Sequence, residues 1–163
     1  MTTTPWTALT VEHMTAAHAA DIATWRYDGP WAVYDPGEPP VPTDDYRVVL
    51  DEERAVVGFC CLGAEARVPG LAEDPGLIDV GVGLAPRHVH HGYGRAFASV
   101  VLDWARSHAA PKDPDSIRLR AVVKDWNTPS LRLTRALGFS ESGHHRCEQD
   151  GAVVTYVVMT TAS

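Results

Sequence analysis

The sequence predicts an α/β (α+β) domain around a central mixed sheet, and three stretches carry that prediction. The first is Leu77 to Ala105, where a strand, a glycine-containing loop and a helix follow one another directly. Ile78, Val80, Val82 and Leu84 alternate with Asp79, Gly81, Gly83 and Ala85, the period of a strand with one apolar face. Pro86 ends the ladder because it has no N–H to donate. Phe97, Val100, Val101, Trp104 and Ala105 then recur at helical spacing. The second stretch pairs a strand, Ile117 to Val123, with a short helix between Asn127 and Gly138. Asn127 or Thr128 caps that helix, Pro129 suits its first turn and Gly138 ends it. The third is a hairpin, Phe139 to Glu148 and Ala152 to Thr160, turning at Gln149-Asp150-Gly151, where Asp-Gly is a strong turn signal. Strands and helices mixed in this order fit a sheet with helices packed on it.

The N-terminal half supplies the remaining elements. Trp6 to Val11 reads as a first strand and Met14 to about Arg26 as a first helix. Tyr27 to Thr43, rich in Pro, Gly and aromatics, reads as an ordered loop with one helical turn. Tyr46 to Asp51 and Ala55 to Leu62 form a hairpin across Glu52-Glu53-Arg54, and Gly63 to Gly76 is a second irregular stretch. With no internal repeat and no linker, the 163 residues are expected to form one domain, 1–163, large enough to bury a core without staples.

Composition narrows the function classes. No apolar run reaches membrane-spanning length, and Met1-Thr-Thr-Thr-Pro5 lacks the basic-then-apolar pattern of a signal peptide. Cys60, Cys61 and Cys147 have an odd count and no zinc spacing, so we expect reduced core thiols, a cytoplasmic location and no metal. The formal net charge of -7 argues against nucleic acid as a partner, and an acidic surface draws in cationic molecules instead.

The loop before the second predicted helix is the first candidate for chemistry. A helix that opens at Gly92-Tyr93-Gly94 points bare N–H groups and the positive end of its dipole out of its first turn, which suits an anion such as phosphate. Taken alone, the pattern is weak, since most such units bind nothing. It is no P-loop, because no Gly-Lys-Ser/Thr follows, and it lacks the third glycine of a dinucleotide fingerprint. Another nucleotide or phosphate binder built on the same unit stays open at this point.

A second motif makes the pattern specific. Asn127-x-x-Ser130-x-x-Leu133 leading to Gly138-Phe139, some thirty-five residues after Pro86-x-x-x-x-x-Gly92-x-Gly94, resembles the GNAT superfamily of acyl-CoA-dependent N-acyltransferases. The resemblance covers Leu77 to about Met159 well and the N-terminal half in outline. It implies a single GNAT-like domain whose mixed, mostly antiparallel sheet has about six to seven strands flanked by about four helices. It further implies acetyl-CoA (coenzyme A) as cofactor and acetyl transfer to a primary amine of a small molecule or protein by direct attack in a ternary complex. A homodimer is compatible with it. The main chain of Val82, Gly83 and Leu84 would meet the pantetheine and oxyanion, N–H groups from Val89, His90, His91, Gly92, Tyr93, Gly94 and Arg95 the pyrophosphate, and Asn127 the cofactor's other side. This chain departs from the family pattern at Val89, where Arg or Gln is usual, and at His90, where glycine is common.

The reaction itself sets further requirements. An amine with a pKa of about 10.4 is roughly one part in a thousand uncharged at neutral pH, a deficit of about 4 kcal/mol, so a proton must be removed. Asp79 is the candidate base, on the polar side of its strand, and Glu65 is its rival; hydrogen bonding to a loop is the alternative role for Asp79. Arg67 pairs with Glu65 or contacts substrate. Trp25, Tyr27, Trp31 and Tyr34 suggest the acceptor-side wall, Trp31 and Tyr34 foremost, through ring faces that suit cations; simple packing is the other reading. Relatives often carry Tyr where this chain has Thr134, a poorer proton donor to a leaving thiolate, so an acyl-CoA-binding module with little turnover is the alternative function. The acceptor, the acyl group and the oligomeric state are not readable from the sequence.

Overall fold

The computed structural model describes residues 3–162; Met1, Thr2 and Ser163, the ends of the expected 1–163 domain, lie outside the described residues. Seven strands run β1 (Thr10–His13), β2 (Tyr46–Leu50), β3 (Val56–Leu62), β4 (Ile78–Leu84), β5 (Leu119–Lys124), β6 (Phe139–Gln149) and β7 (Ala152–Thr161). They lie in the order β1-β2-β3-β4-β5-β7-β6. β1 and β2, β5 and β7, and β6 and β7 pair antiparallel, whereas β4 and β5 pair parallel, so the sheet is mixed. Three α-helices accompany it among the described residues, α1 (Ala16–Ala23), α2 (Gly94–Ala109) and α3 (Thr128–Ala136), with single 3-10 turns between strands.

By contacts the chain divides into two compact units, Met1–Cys60 with Val82–Val101 and Cys61–Gly81 with Leu102–Ser163. The first is built around Met14, Ala19 and Ile22 of the α1 region, Trp25, Val48 and Leu50 of β2, Val56 and Ala85, with Tyr27, Tyr46 and Phe59 packed against them. Thr15 and His18 close a capping box at the start of α1, which explains why the helix begins at Ala16 rather than at Met14. In the second unit, β6 and β7 close at Asp150 (φ 53) and Gly151 (φ 80), the paired left-handed residues that an Asp-Gly turn requires. Asn127 caps α3 by accepting a hydrogen bond from the Ser130 N–H, as Asn does at helix starts, and Gly138 (φ 97) ends it.

The simple alternation expected for β4 is corrected by the structure. Asp79, assigned to the polar side, is buried at 4%, while Val82, assigned to the apolar side, is 47% exposed. A buried ion pair explains the first; the second leaves an apolar side chain open in the middle of the sheet order.

Candidate functional site

In the first unit, the end of β4 and the loop into α2 hold most of the expected cofactor residues. The strand's room comes from missing side chains: a Cβ on Gly83 would lie 2.3 Å from the Phe59 ring, and one on Gly58 would lie 2.4 Å from the Phe97 ring and 2.6 Å from the Gly83 carbonyl. Gly83 thus makes space for an aromatic neighbour. The Leu84 carbonyl accepts a 2.6 Å hydrogen bond from the Tyr27 phenol, whose pKa burial pushes up well past the ordinary range, so that it stays a donor.

Past Ala85 the chain makes a 3-10 turn at Pro86–His88 and then reverses hand repeatedly. Val89 is extended (φ -74), His90 is left-handed (φ 64), and Gly92 is left-handed again (φ 81). Loops with left-handed residues of this kind are where successive N–H groups form concavities for anions. The 16 residues of α2 begin at Gly94, directly behind it, and add the free N–H groups and dipole of a helix start. His90, His91 and Arg95 are exposed, and Tyr93 is half-buried with the His91 ring stacked on it at 5.3 Å. Trp31, in the 3-10 turn Gly29–Tyr34, sets its ring edge against His90 at 4.9 Å. Tyr34 is 37% exposed on the same turn. Trp25 and Tyr27 belong to the core side of this segment, Trp25 tilted against Phe59, so neither is an open wall.

In the second unit, Asp79 accepts hydrogen bonds from Arg120 Nε (2.6 Å) and a terminal nitrogen of the same guanidinium (3.1 Å), and from Arg67 (3.1 Å). Arg120 also donates to the Ala72 carbonyl at 2.8 Å, and His145 Nε2 meets the Pro69 carbonyl at 2.7 Å. Together these contacts hold the segment 63–76 down. Both oxygens of Asp79 are engaged by guanidinium donors, Arg67 among them. Glu65 lies exposed in the 3-10 turn Gly63–Ala66. Asn127 is buried as the α3 cap, and the Thr134 hydroxyl donates to the Ser130 carbonyl at 2.7 Å.

Sequence reasoning passed over three residues here. Arg120 sits opposite Asp79 in the parallel register of β4 and β5, and arginines at 118 and 120 in an otherwise apolar strand were the signal available for it. Trp6 packs edge-on against His88 and Tyr93 at 5.0 and 5.4 Å, its indole N–H buried without a partner among the described residues. Arg87 donates to the Val56 carbonyl and ties the turn after β4 to β3.

Among solved structures, the fold is similar to a chimeric spermidine N-acetyltransferase from Vibrio cholerae (TM-score 0.69, 17% identity, 94% of each chain covered). It is also similar to a Salmonella typhimurium protein solved with its cofactor acetyl-CoA (TM-score 0.59, 19% identity, 94% of this chain and 92% of that one). A third similar fold is the ribosomal-protein-S18-alanine N-acetyltransferase of Escherichia coli (TM-score 0.59, 13% identity, 94% and 93%). No curated protein sequence matches the chain. The family model described as the acetyltransferase (GNAT) domain matches residues 3–140, which includes the strand, the loop, both expected motifs and α3. The chain belongs to the GNAT acetyltransferase family.

Proposed function

We propose that this acyl-CoA-dependent N-acetyltransferase moves an acetyl group to a primary amine of a small molecule or protein, and that the β4 end and the Val89–Arg95 loop form its donor site. Acetyl-CoA supplies an activated thioester when bound. The observation that carries the assignment is the alternating backbone at His90 and Gly92 directly before α2, which presents main-chain donors of the kind a pyrophosphate takes. The donors of such a cradle are main-chain groups, so Val89 and His90 in place of the usual residues do not remove them. The exposed Val82, beside the backbone of Gly83 and Leu84, supports a pantetheine contact there.

For proton removal, Glu65 is favoured over Asp79. Asp79 would have to break hydrogen bonds to two guanidiniums before taking a proton, whereas Glu65 reaches solvent. We read Arg67 as a support for the segment carrying Glu65, and Asn127 as the cap that sets α3. The Thr134 hydroxyl is committed to a carbonyl, so the leaving thiolate takes its proton from elsewhere, with water as the simplest source. Among the described residues no helix is long and apolar enough to cross a membrane. The free cysteines Cys60, Cys61 and Cys147 suit a reducing compartment, and a cytoplasmic location belongs to this proposal, as do a single functional domain and a homodimer.

A thermal-shift titration with acetyl-CoA, coenzyme A and ATP tests the donor site. A ligand at a hundred times its dissociation constant adds about 2.7 kcal/mol, and a melting-point rise of a few degrees is expected with the coenzyme A species alone. Equal response to ATP, or none to any of them, would remove the assignment. Thiol release with a panel of amines then separates an enzyme on primary amines from a module that binds acyl-CoA with little turnover.

A further inference from the structure

We infer that the 3-10 turn Gly29–Tyr34 is a brace for the cofactor loop, and that Trp31 is a positioning residue acting through His90 rather than solely a wall for the acceptor amine. The inference rests on the donor-site assignment above and deepens it. His90 adopts φ 64, a region in which L-residues other than glycine are uncommon. The side chain brings a steric penalty of about 1–2 kcal/mol to such a conformation, so something around it must hold it there. Trp31 is the contact in place: its ring meets the His90 ring at 4.9 Å with the planes 73° apart.

The turn that carries Trp31 is itself anchored. The Trp31 N–H donates to the Asp28 carbonyl and the Asp35 N–H to the Ala32 carbonyl, closing the turn. Asp35 Oδ1 accepts from the Tyr27 N–H at 2.8 Å, and the Tyr27 phenol donates to the Leu84 carbonyl at 2.6 Å. Tyr27 thus grips the end of β4, and Trp31 grips the left-handed residue of the loop that follows it. The brace spans the two backbone segments that the donor site needs in register. Glycine at position 90 would need no such support at that φ.

The test is coenzyme A affinity by calorimetry for the native protein, Trp31→Ala and Trp31→Phe, each with and without His90→Gly, alongside ligand-free melting of the same set. Trp31→Ala should weaken coenzyme A binding about fivefold, the equivalent of about 1 kcal/mol at 1.4 kcal/mol per decade. Trp31→Phe, which keeps a ring edge, should restore most of it. In the His90→Gly background, Trp31→Ala should have no further effect on affinity. Equal losses in both backgrounds, or a Trp31→Ala protein that changes only the KM for the amine, would overturn the brace. Should the native protein fail to bind coenzyme A, the donor-site assignment falls. The ligand-free melting points then decide the contact alone: a non-additive Trp31–His90 pair upholds it and an additive pair overturns it.

Discussion

Asp79 shows how an acidic residue in a predicted site strand can be recruited into structure. Its carboxylate is 4% exposed and carries both Arg120 and Arg67, with Arg120 on the neighbouring parallel strand. Removing one partner of a buried ion pair leaves uncompensated charge and typically costs about 3–5 kcal/mol. Asp79→Asn is therefore expected to lose stability on that scale in denaturant melts, with amine turnover per folded molecule largely kept. A variant of unchanged stability but abolished turnover would return Asp79 to the role of base. Glu65→Gln makes the complementary prediction: turnover falls by about a hundredfold or more, as general-base contributions of about a hundredfold to ten-thousandfold require, while the melting point barely moves. Kinetics and melts on the two variants decide between the carboxylates.

At the scale of elements, β4 is shaped by absences. Gly83 leaves room for Phe59, and Gly81 would place a Cβ 3.0 Å from the Cys61 sulfur. Gly83→Ala should force the Phe59 ring aside and cost about 1–3 kcal/mol, as overpacking does, readable as a lowered denaturation midpoint. Unchanged stability would mean the ring moves freely. The element types and their order were legible in the sequence because periodicity and punctuation are local: Pro86, Gly94, the Asn127 cap and the Asp150-Gly151 turn each act within a few residues. The burial of β4 was not legible, because which side chain is covered depends on neighbours far along the chain. The left-handed His90 was not legible, because the residue type does not dictate that conformation.

At the scale of the molecule, the histidine-rich segment after β4 sets a pH dependence. Burial, with Arg87 nearby as a lesser cause, holds His88 below its ordinary value of 6.5. The unfolded chain then binds the proton more readily than the folded one, so stability falls as pH drops through about 6.5, and the contribution of His88 is fully lost below its lowered folded value. On acidification below about pH 7 the melting point should decline less steeply in His88→Gln than in the native protein. Parallel profiles would show that His88 does not couple to folding.

The sequence by itself determined the element order, the loop and cap motifs and, through their spacing, the family, because each of these is written in residues close together along the chain. Tertiary structure alone decided that Asp79 serves two arginines, that Gly83 yields its space to Phe59, and that Trp31 meets His90. Those pairs lie from 12 to 59 positions apart. Only strand register and the folding of the loops bring them within a few ångströms, and no local periodicity encodes that distance.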